Sequence, residues 1–152
     1  MKTTRLAAFS LLALGVMLTT AWPDNQDSTN KNTENTEKKS TDLQRKLIGA
    51  WVLVGSPGDV HEPEPGARMK FWGEKHWVIT QADPETGKVI FHHGGTYTLD
   101  GDKYTETITF ANENTQQMIG EKLRFTVSVE DDTYTQIGDG NPFSEVWKRL
   151  ER

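Results

Sequence analysis

One carboxylate in this sequence stands where an apolar side chain is expected. Glu106 belongs to the alternating run 103–110 and shares a side with Tyr104, Ile108 and Phe110. Because successive residues of a strand face opposite sides, this carboxylate is predicted to lie on the apolar, inward face. A buried carboxylate is costly unless it is paired or hydrogen-bonded. Glu106 is therefore the first candidate for a functional group.

Two interpretations of Glu106 follow from the residues that could surround it. In the first, it belongs to a ligand pocket with a polar floor and aromatic walls. The predicted floor is Glu106, Tyr97, Tyr104 and His76, and the predicted walls are Trp72, Trp77, Phe125 and Trp147. In the second, Glu106 lies near an open end of the fold or is neutralised by Arg68 or Arg149, and the tryptophans only fill the core.

Metal binding lacks a complete set of ligands. His92 and His93 are adjacent, so in a strand they would face opposite sides and could not chelate one ion. His61 and the neighbouring acidic residues Glu62 and Glu64 lie in a proline-rich loop, without a second cluster to complete four ligands. We therefore predict no metal site and no other cofactor.

Catalysis also lacks a recognisable motif. The sequence has no nucleophile elbow, phosphate loop or zinc-protease motif, and it contains no cysteine. A small lyase or isomerase would need Glu106 and His76 to meet at one substrate atom. We expect binding rather than catalysis.

Composition restricts the partners and the covalent chemistry. The 152 residues carry a formal net charge of −5 and no basic cluster, which argues against nucleic acid as a partner. The absence of cysteine excludes disulfides and the lipid-bearing cysteine of a bacterial lipoprotein. The length suits one domain with its own core.

The N-terminal part differs from the rest of the chain. Residues 1–21 have a basic start, an apolar run from Leu6 to Leu18 and small residues after it, which is typical of a cleavable secretory signal. The apolar run is shorter than the ~20 residues that span a bilayer. We predict export to the periplasm or the exterior, with no membrane segment after cleavage. For residues 22–42 we predict a disordered linker, because the stretch from Asp24 to Asp42 has almost no apolar residue and cannot bury enough apolar surface.

Residues 43–152 have the pattern of an all-β domain. Short alternating runs are separated by Gly, Asp, Asn and Pro, and the clearest run has Leu123, Phe125, Val127 and Val129 on one side. Tight turns such as Asp100-Gly101-Asp102 predict hairpins. Eight to ten short strands joined in this way are expected to close into a single antiparallel up-and-down barrel. A β-sandwich is the alternative.

Three stretches resemble a known group of barrels. Gly49-Ala50-Trp51 resembles the Gly-x-Trp signature of lipocalins and related calycins, and Gly94–Asp102 and Glu145–Arg149 are similar to small, exported, lipocalin-like bacterial domains of unknown function. The resemblance covers roughly residues 43–151. It implies a barrel with an internal pocket and no settled activity. It also implies that Arg149, or Lys148 if the strand parity is reversed, lies across Trp51 and closes one end.

Three functions remain open at this point. The leading hypothesis is an exported protein that binds a small apolar or amphipathic molecule inside the barrel. The second is a structural or interaction module of the cell envelope with a filled barrel, and the third is a small lyase or isomerase. A cavity near ~300 Å³, the lower end for ligand sites, would favour the first hypothesis. A filled interior would favour the second.

Overall fold

The structure is a computed structural model that describes the backbone of residues 27–150 and the side chains of residues 32–150. The predicted signal peptide, residues 1–21, lies outside the described residues. So does the first part of the predicted linker.

One α-helix precedes nine strands within the described residues. The helix α1 spans Asp27–Leu47. The strands are β1 (Gly49–Ser56), β2 (Asp59–Val60), β3 (Met69–Trp72), β4 (His76–Ala82), β5 (Val89–Asp100), β6 (Lys103–Ala111), β7 (Lys122–Glu130), β8 (Thr133–Asp139) and β9 (Glu145–Arg149). A short 3₁₀ helix, Gln116–Met118, lies between β6 and β7.

Eight of these strands close an antiparallel barrel. β1 pairs with β3, the strands from β3 to β9 pair in chain order, and β9 pairs back with β1. β2 adds a short hairpin to the far end of β1 and lies outside the ring. The prediction of an antiparallel up-and-down barrel is confirmed, and the β-sandwich alternative is wrong.

The alternation of β7 defines the barrel interior as predicted. Phe125, Val127 and Val129 are buried and Leu123 is half-buried, whereas Lys122 and Arg124 are exposed. This arrangement follows from the two-residue period of a strand with one face in the core.

Phe110 breaks the alternation of β6. It was predicted to face inward with Glu106, but it is 44% exposed. Ile108 pairs with Gly95 and Phe110 with Gly94, so Thr109 is an extra residue that has no counterpart on β5. Such a bulge reverses the facing of the residues beyond it. Phe110 consequently lies on the outer surface.

Helix α1 occupies most of the segment that was predicted to be a disordered linker, so that prediction is wrong from residue 27 onward. Its last turns pack on one end of the barrel, where Leu43 and Leu47 are buried. The Gly101 amide donates a hydrogen bond of 2.7 Å to Ser40 Oγ. Helices of polar composition are stabilised mainly by such tertiary contacts, which composition alone does not reveal.

The interior is filled at the end that α1 covers. Trp51, Trp72 and Tyr134 are buried and make edge-to-face contacts, with ring centroids 5.0 to 6.3 Å apart. The Trp51 indole also donates a 2.8 Å hydrogen bond to the Leu47 carbonyl at the end of α1. Space for a ligand is therefore restricted to the opposite end of the barrel.

Candidate functional site

Arg149 seals the barrel end beside α1. Its guanidinium carbon lies 4.1 Å from the centroid of the Trp51 ring. The same group donates hydrogen bonds to the carbonyls of Ile48, at 3.2 Å, and Lys46, at 2.6 Å. Lys148, the alternative from the sequence, is exposed on the outer face. A cation on an aromatic face that also binds the last carbonyls of a helix stabilises the closed end.

A small cavity lies at the opposite end, among the loops that join β6 to β7 and β8 to β9. Its volume is about 110 Å³. The wall is mainly apolar: Trp77, Ile79, Phe91, Met118, Leu123, Phe125 and Phe143. The polar lining is formed by Arg68, Lys70, His93, Glu106, Gln136 and Glu145.

The deepest polar groups of the cavity are a buried ion pair. The side chains of Lys70 and Glu106 are 2% and 3% exposed, and Lys70 Nζ contacts the Glu106 carboxylate. Lys70 also donates a 3.2 Å hydrogen bond to Gln136 Oε1. Burial raises the pKa of Glu106, while the charge and hydrogen bond of Lys70 and a hydrogen bond from Tyr104 act in the opposite direction. The buried Glu106 carboxylate is thus neutralised by its ion pair with Lys70.

Aromatic rings surround the Lys70 ammonium. Nζ lies 4.8 Å from the ring centroid of Trp72, 4.9 Å from that of Trp77 and 5.7 Å from that of Trp147. A cation within about 6 Å of an aromatic face is attracted by the ring quadrupole. Trp72 and Trp147, predicted as pocket walls, therefore pack around the lysine and do not line the cavity.

The partner of Glu106 differs from the expectation. Arg68 and Arg149 were the candidates, but the ion pair is with Lys70. On β3 the buried residues are Lys70 and Trp72, while Phe71 is 37% exposed. Trp72 was predicted to face inward, and the residue two positions before it must then face inward as well. That spacing was the signal that identifies Lys70.

The two predicted floor tyrosines lie outside the cavity lining. Tyr104 is fully buried, and its hydroxyl accepts a 2.8 Å hydrogen bond from the Trp72 indole. Tyr97 donates a 2.9 Å hydrogen bond to the Gly73 carbonyl, in the turn at the closed end. Tyr104 forms a hydrogen bond with Glu106 without lining the cavity, and Tyr97 belongs to the closed end of the barrel.

His76 does not reach the interior. It is exposed at the start of β4, whose inward positions are Trp77 and Ile79. The predicted convergence of His76 with Glu106 is wrong, because the two side chains lie on opposite faces of the barrel wall. The Glu106–His76 pair required for the lyase or isomerase hypothesis does not form.

The histidine of the cavity is His93 on β5. It is 4% exposed, and its Nδ1 is buried without a hydrogen-bond partner among the described residues. Burial, followed by the charges of Lys70 and Arg68, lowers the pKa of His93 to about 4. The imidazole is therefore neutral at neutral pH. This cavity-lining residue thus has one buried ring nitrogen without a hydrogen bond among the described residues.

Trp77 and Phe125 are the predicted wall residues that do line the cavity. The Trp77 indole donates a 3.1 Å hydrogen bond to the Thr96 carbonyl, so its polar atom is already satisfied. These two side chains offer apolar contact to a ligand and no further polar group.

The charges of the lining balance one another. Besides the Lys70–Glu106 pair, Arg68 lies 4.0 Å from the Glu145 carboxylate, and Gln136 donates a 2.8 Å hydrogen bond to Glu145. Two cationic and two anionic side chains are thus paired around the cavity, beside a neutral histidine. No surplus charge is offered to a charged ligand by these groups.

Neither a metal cluster nor a membrane span is found in the part of the chain that the structure describes. No group of three His, Asp or Glu side chains there could hold a metal ion. No helix within residues 27–150 combines the length and apolar character needed to cross a bilayer.

Comparison with known proteins bears on the fold. No protein-family model and no curated protein matches the chain. A crystal structure of a lipocalin-like protein from Bacteroides uniformis is similar, with a TM-score of 0.52 and 14% identity over 69% of this chain and 99% of that chain. An uncharacterized protein from Bacteroides eggerthii gives a TM-score of 0.49 and 13% identity, over 68% of this chain and 99% of that one. At these identities the likeness concerns the fold alone.

Proposed function

We propose that this chain, which folds as a lipocalin-like barrel, is an exported protein that binds a small, uncharged, partly polar molecule in the open end of the barrel. The observation that carries the proposal is the cavity, which has an apolar wall and is lined by His93, whose buried Nδ1 has no hydrogen-bond partner among the described residues. Export rests on the N-terminal sequence pattern alone.

The volume limits the size of the ligand. At about 110 Å³ the cavity is smaller than the ~300 to 1,000 Å³ of sites for drug-sized ligands. An apolar cavity of about 150 Å³ in another protein takes up benzene. A molecule of about six or seven non-hydrogen atoms, which can project into the open mouth, is therefore the appropriate size.

The electrostatics favour an uncharged ligand. Lys70 is paired with Glu106 and Arg68 with Glu145, so a charged ligand would lose its hydration without gaining a free counter-ion. His93 is neutral at neutral pH and offers one hydrogen-bonding nitrogen. A ligand with an apolar body and one hydroxyl or carbonyl group would satisfy both features.

Titration with three small aromatic probes tests this proposal. We expect phenol to bind more tightly than benzene by about 1 kcal/mol, because it can form one hydrogen bond to His93. Benzoate should not bind measurably. Chemical-shift changes in a two-dimensional amide spectrum of the full chain, confined to residues around the cavity, would report binding at this site.

Matched variants locate the binding. Ile79→Phe adds volume inside the cavity and should abolish phenol binding, whereas Ile137→Phe makes the same change on the outer face and should not. His93→Phe preserves the ring shape without the nitrogen and should remove the preference of phenol over benzene. Equal binding of all three probes, or binding unaffected by Ile79→Phe, would contradict the proposal.

A structural or interaction module is the second candidate, because the barrel interior is filled at the closed end. The packed rings of Trp51, Trp72 and Tyr134 leave no room for a ligand at the closed end. Failure of every uncharged probe to bind, with the barrel folded, would favour this candidate.

A further inference from the structure

Lys70 combines three properties of a reactive amine. Its side chain is 2% exposed, it forms part of the cavity wall, and its ammonium contacts a carboxylate that is also buried. Lysine is rarely buried in this way, and most lysines of a soluble protein are hydrated at its surface. A carboxylate in contact with such an amine can take its proton and leave a nucleophile beside the cavity.

We infer that Lys70 captures a small aldehyde or ketone in the cavity as a reversible Schiff base, with Glu106 as the group that transfers the proton. The inference rests on the proposed function, because the carbonyl compound would occupy the same cavity. It adds the chemical class of the ligand and a covalent bond to the protein.

The step balances without a further reactant. Glu106 takes one proton from the Lys70 ammonium, and the neutral amine forms a bond to the carbonyl carbon as the carbon–oxygen π bond opens. One remaining proton of the amine then passes to the former carbonyl oxygen. The resulting carbinolamine loses its hydroxyl group as water, with the proton returned by Glu106. The product is a protonated imine beside the Glu106 carboxylate. Burial raises the pKa of Glu106, which favours transient storage of the proton on this carboxyl group.

The residues around Lys70 can stabilise the protonated imine as well as the original ammonium. The protonated imine carries the same positive charge as the ammonium, so the ion pair with Glu106 is kept. It also remains close to the rings of Trp72 and Trp77, which lie 4.8 and 4.9 Å from the nitrogen before the reaction. The carbon atoms of the ligand would point toward the apolar wall.

Reductive trapping on the full chain tests the inference. The protein is incubated with butanal and sodium cyanoborohydride, digested, and the modified lysines are located by mass spectrometry. We expect labelling of Lys70 to saturate with butanal and to exceed that of exposed Lys148 on the order of tenfold, since binding places the carbonyl beside the amine. In urea-unfolded protein this advantage should disappear. Labelling of Lys70 no faster than that of Lys148 in the folded protein would overturn the inference.

Variants and an unreactive probe separate the possible failures. Glu106→Gln should slow labelling of Lys70 on the order of tenfold in protein that is still folded, because general acid–base transfer is lost. Unchanged labelling would refute the role of Glu106. Butanol has a similar size and cannot form an imine. Butanol binding without labelling of Lys70 would refute the Schiff base but leave the proposed function standing, and failure of both probes would refute both.

Discussion

Replacing Glu106 by glutamine measures how the buried ion pair contributes to folding. The change keeps the shape of the side chain but leaves the Lys70 ammonium, 2% exposed, without its counter-ion. Breaking a buried pair by removing one partner typically costs about 3 to 5 kcal/mol. Lys70 retains its hydrogen bond to Gln136 and its contacts with aromatic rings. We therefore expect a loss near the lower end, about 3 kcal/mol in the free energy of unfolding.

The reverse change, Lys70→Met, leaves a buried carboxylate whose pKa is already raised by burial. Glu106 can then take up a proton, so this variant should lose less stability at pH 5 than at pH 7. The double variant Lys70→Met/Glu106→Gln removes both charges. It should recover to within about 1 kcal/mol of the native protein, because a buried pair and a neutral replacement are often nearly equivalent.

Urea unfolding, followed by tryptophan fluorescence at pH 7, gives the four free energies of this double-mutant cycle. The expected coupling between Lys70 and Glu106 is about 2 kcal/mol or more. Single variants that each cost less than about 1 kcal/mol, as exposed ion pairs do, would refute the reasoning. So would costs that simply add in the double variant.

Three further predictions concern other parts of the barrel. The pKa of His93 is about 4 in the folded protein, against the ordinary value of 6.5 in the unfolded chain, so His93 should contribute stability that is complete above pH 6.5 and is lost as the pH falls through 4. Urea unfolding at a series of pH values should show a loss of at most about 3 kcal/mol in the free energy of unfolding, and this loss should be absent in His93→Gln. Gly95→Ala should destabilise the barrel by about 2 kcal/mol or more, since an added Cβ would lie 1.9 Å from the Thr107 carbonyl oxygen; an unchanged melting temperature would contradict this clash. Arg149→Met should cost about 1 to 3 kcal/mol by removing the cation over Trp51 and its hydrogen bonds, and thermal unfolding with an unchanged midpoint would argue against that role.

The strand pattern was sufficient to predict the fold because it depends on local periodicity. The run 123–129 alternates without interruption, and its inward residues could be identified by parity alone. The lipocalin-like barrel expected from the Gly-x-Trp stretch is likewise confirmed. Phe110 was misplaced because the bulge at Thr109 depends on the close approach of Gly95, a contact between two strands that no single run reveals.

The candidate site was predicted only in part, for reasons that lie in its chemistry. Glu106 was found because a carboxylate on an apolar face is conspicuous. Lys70 was missed because lysine is ordinarily exposed, and its burial is favourable only with Glu106 and several rings around it. His93 was considered only as a metal ligand, and its unpartnered nitrogen becomes evident only when the neighbouring strands are in place. Most of helix α1 escaped prediction because its order depends on contacts with the barrel.

The C-terminal end of the described chain lies at the closed end of the barrel, beside the last turn of α1. Helix α1 enters β1 there, and the Leu150 amide donates a 2.9 Å hydrogen bond to the Ala50 carbonyl at the same place. A purification tag or sensor chip joined after Leu150 would hold the barrel by its closed end. The mouth, framed by Met118 and Phe143, would then face away from the support and stay accessible to solutes.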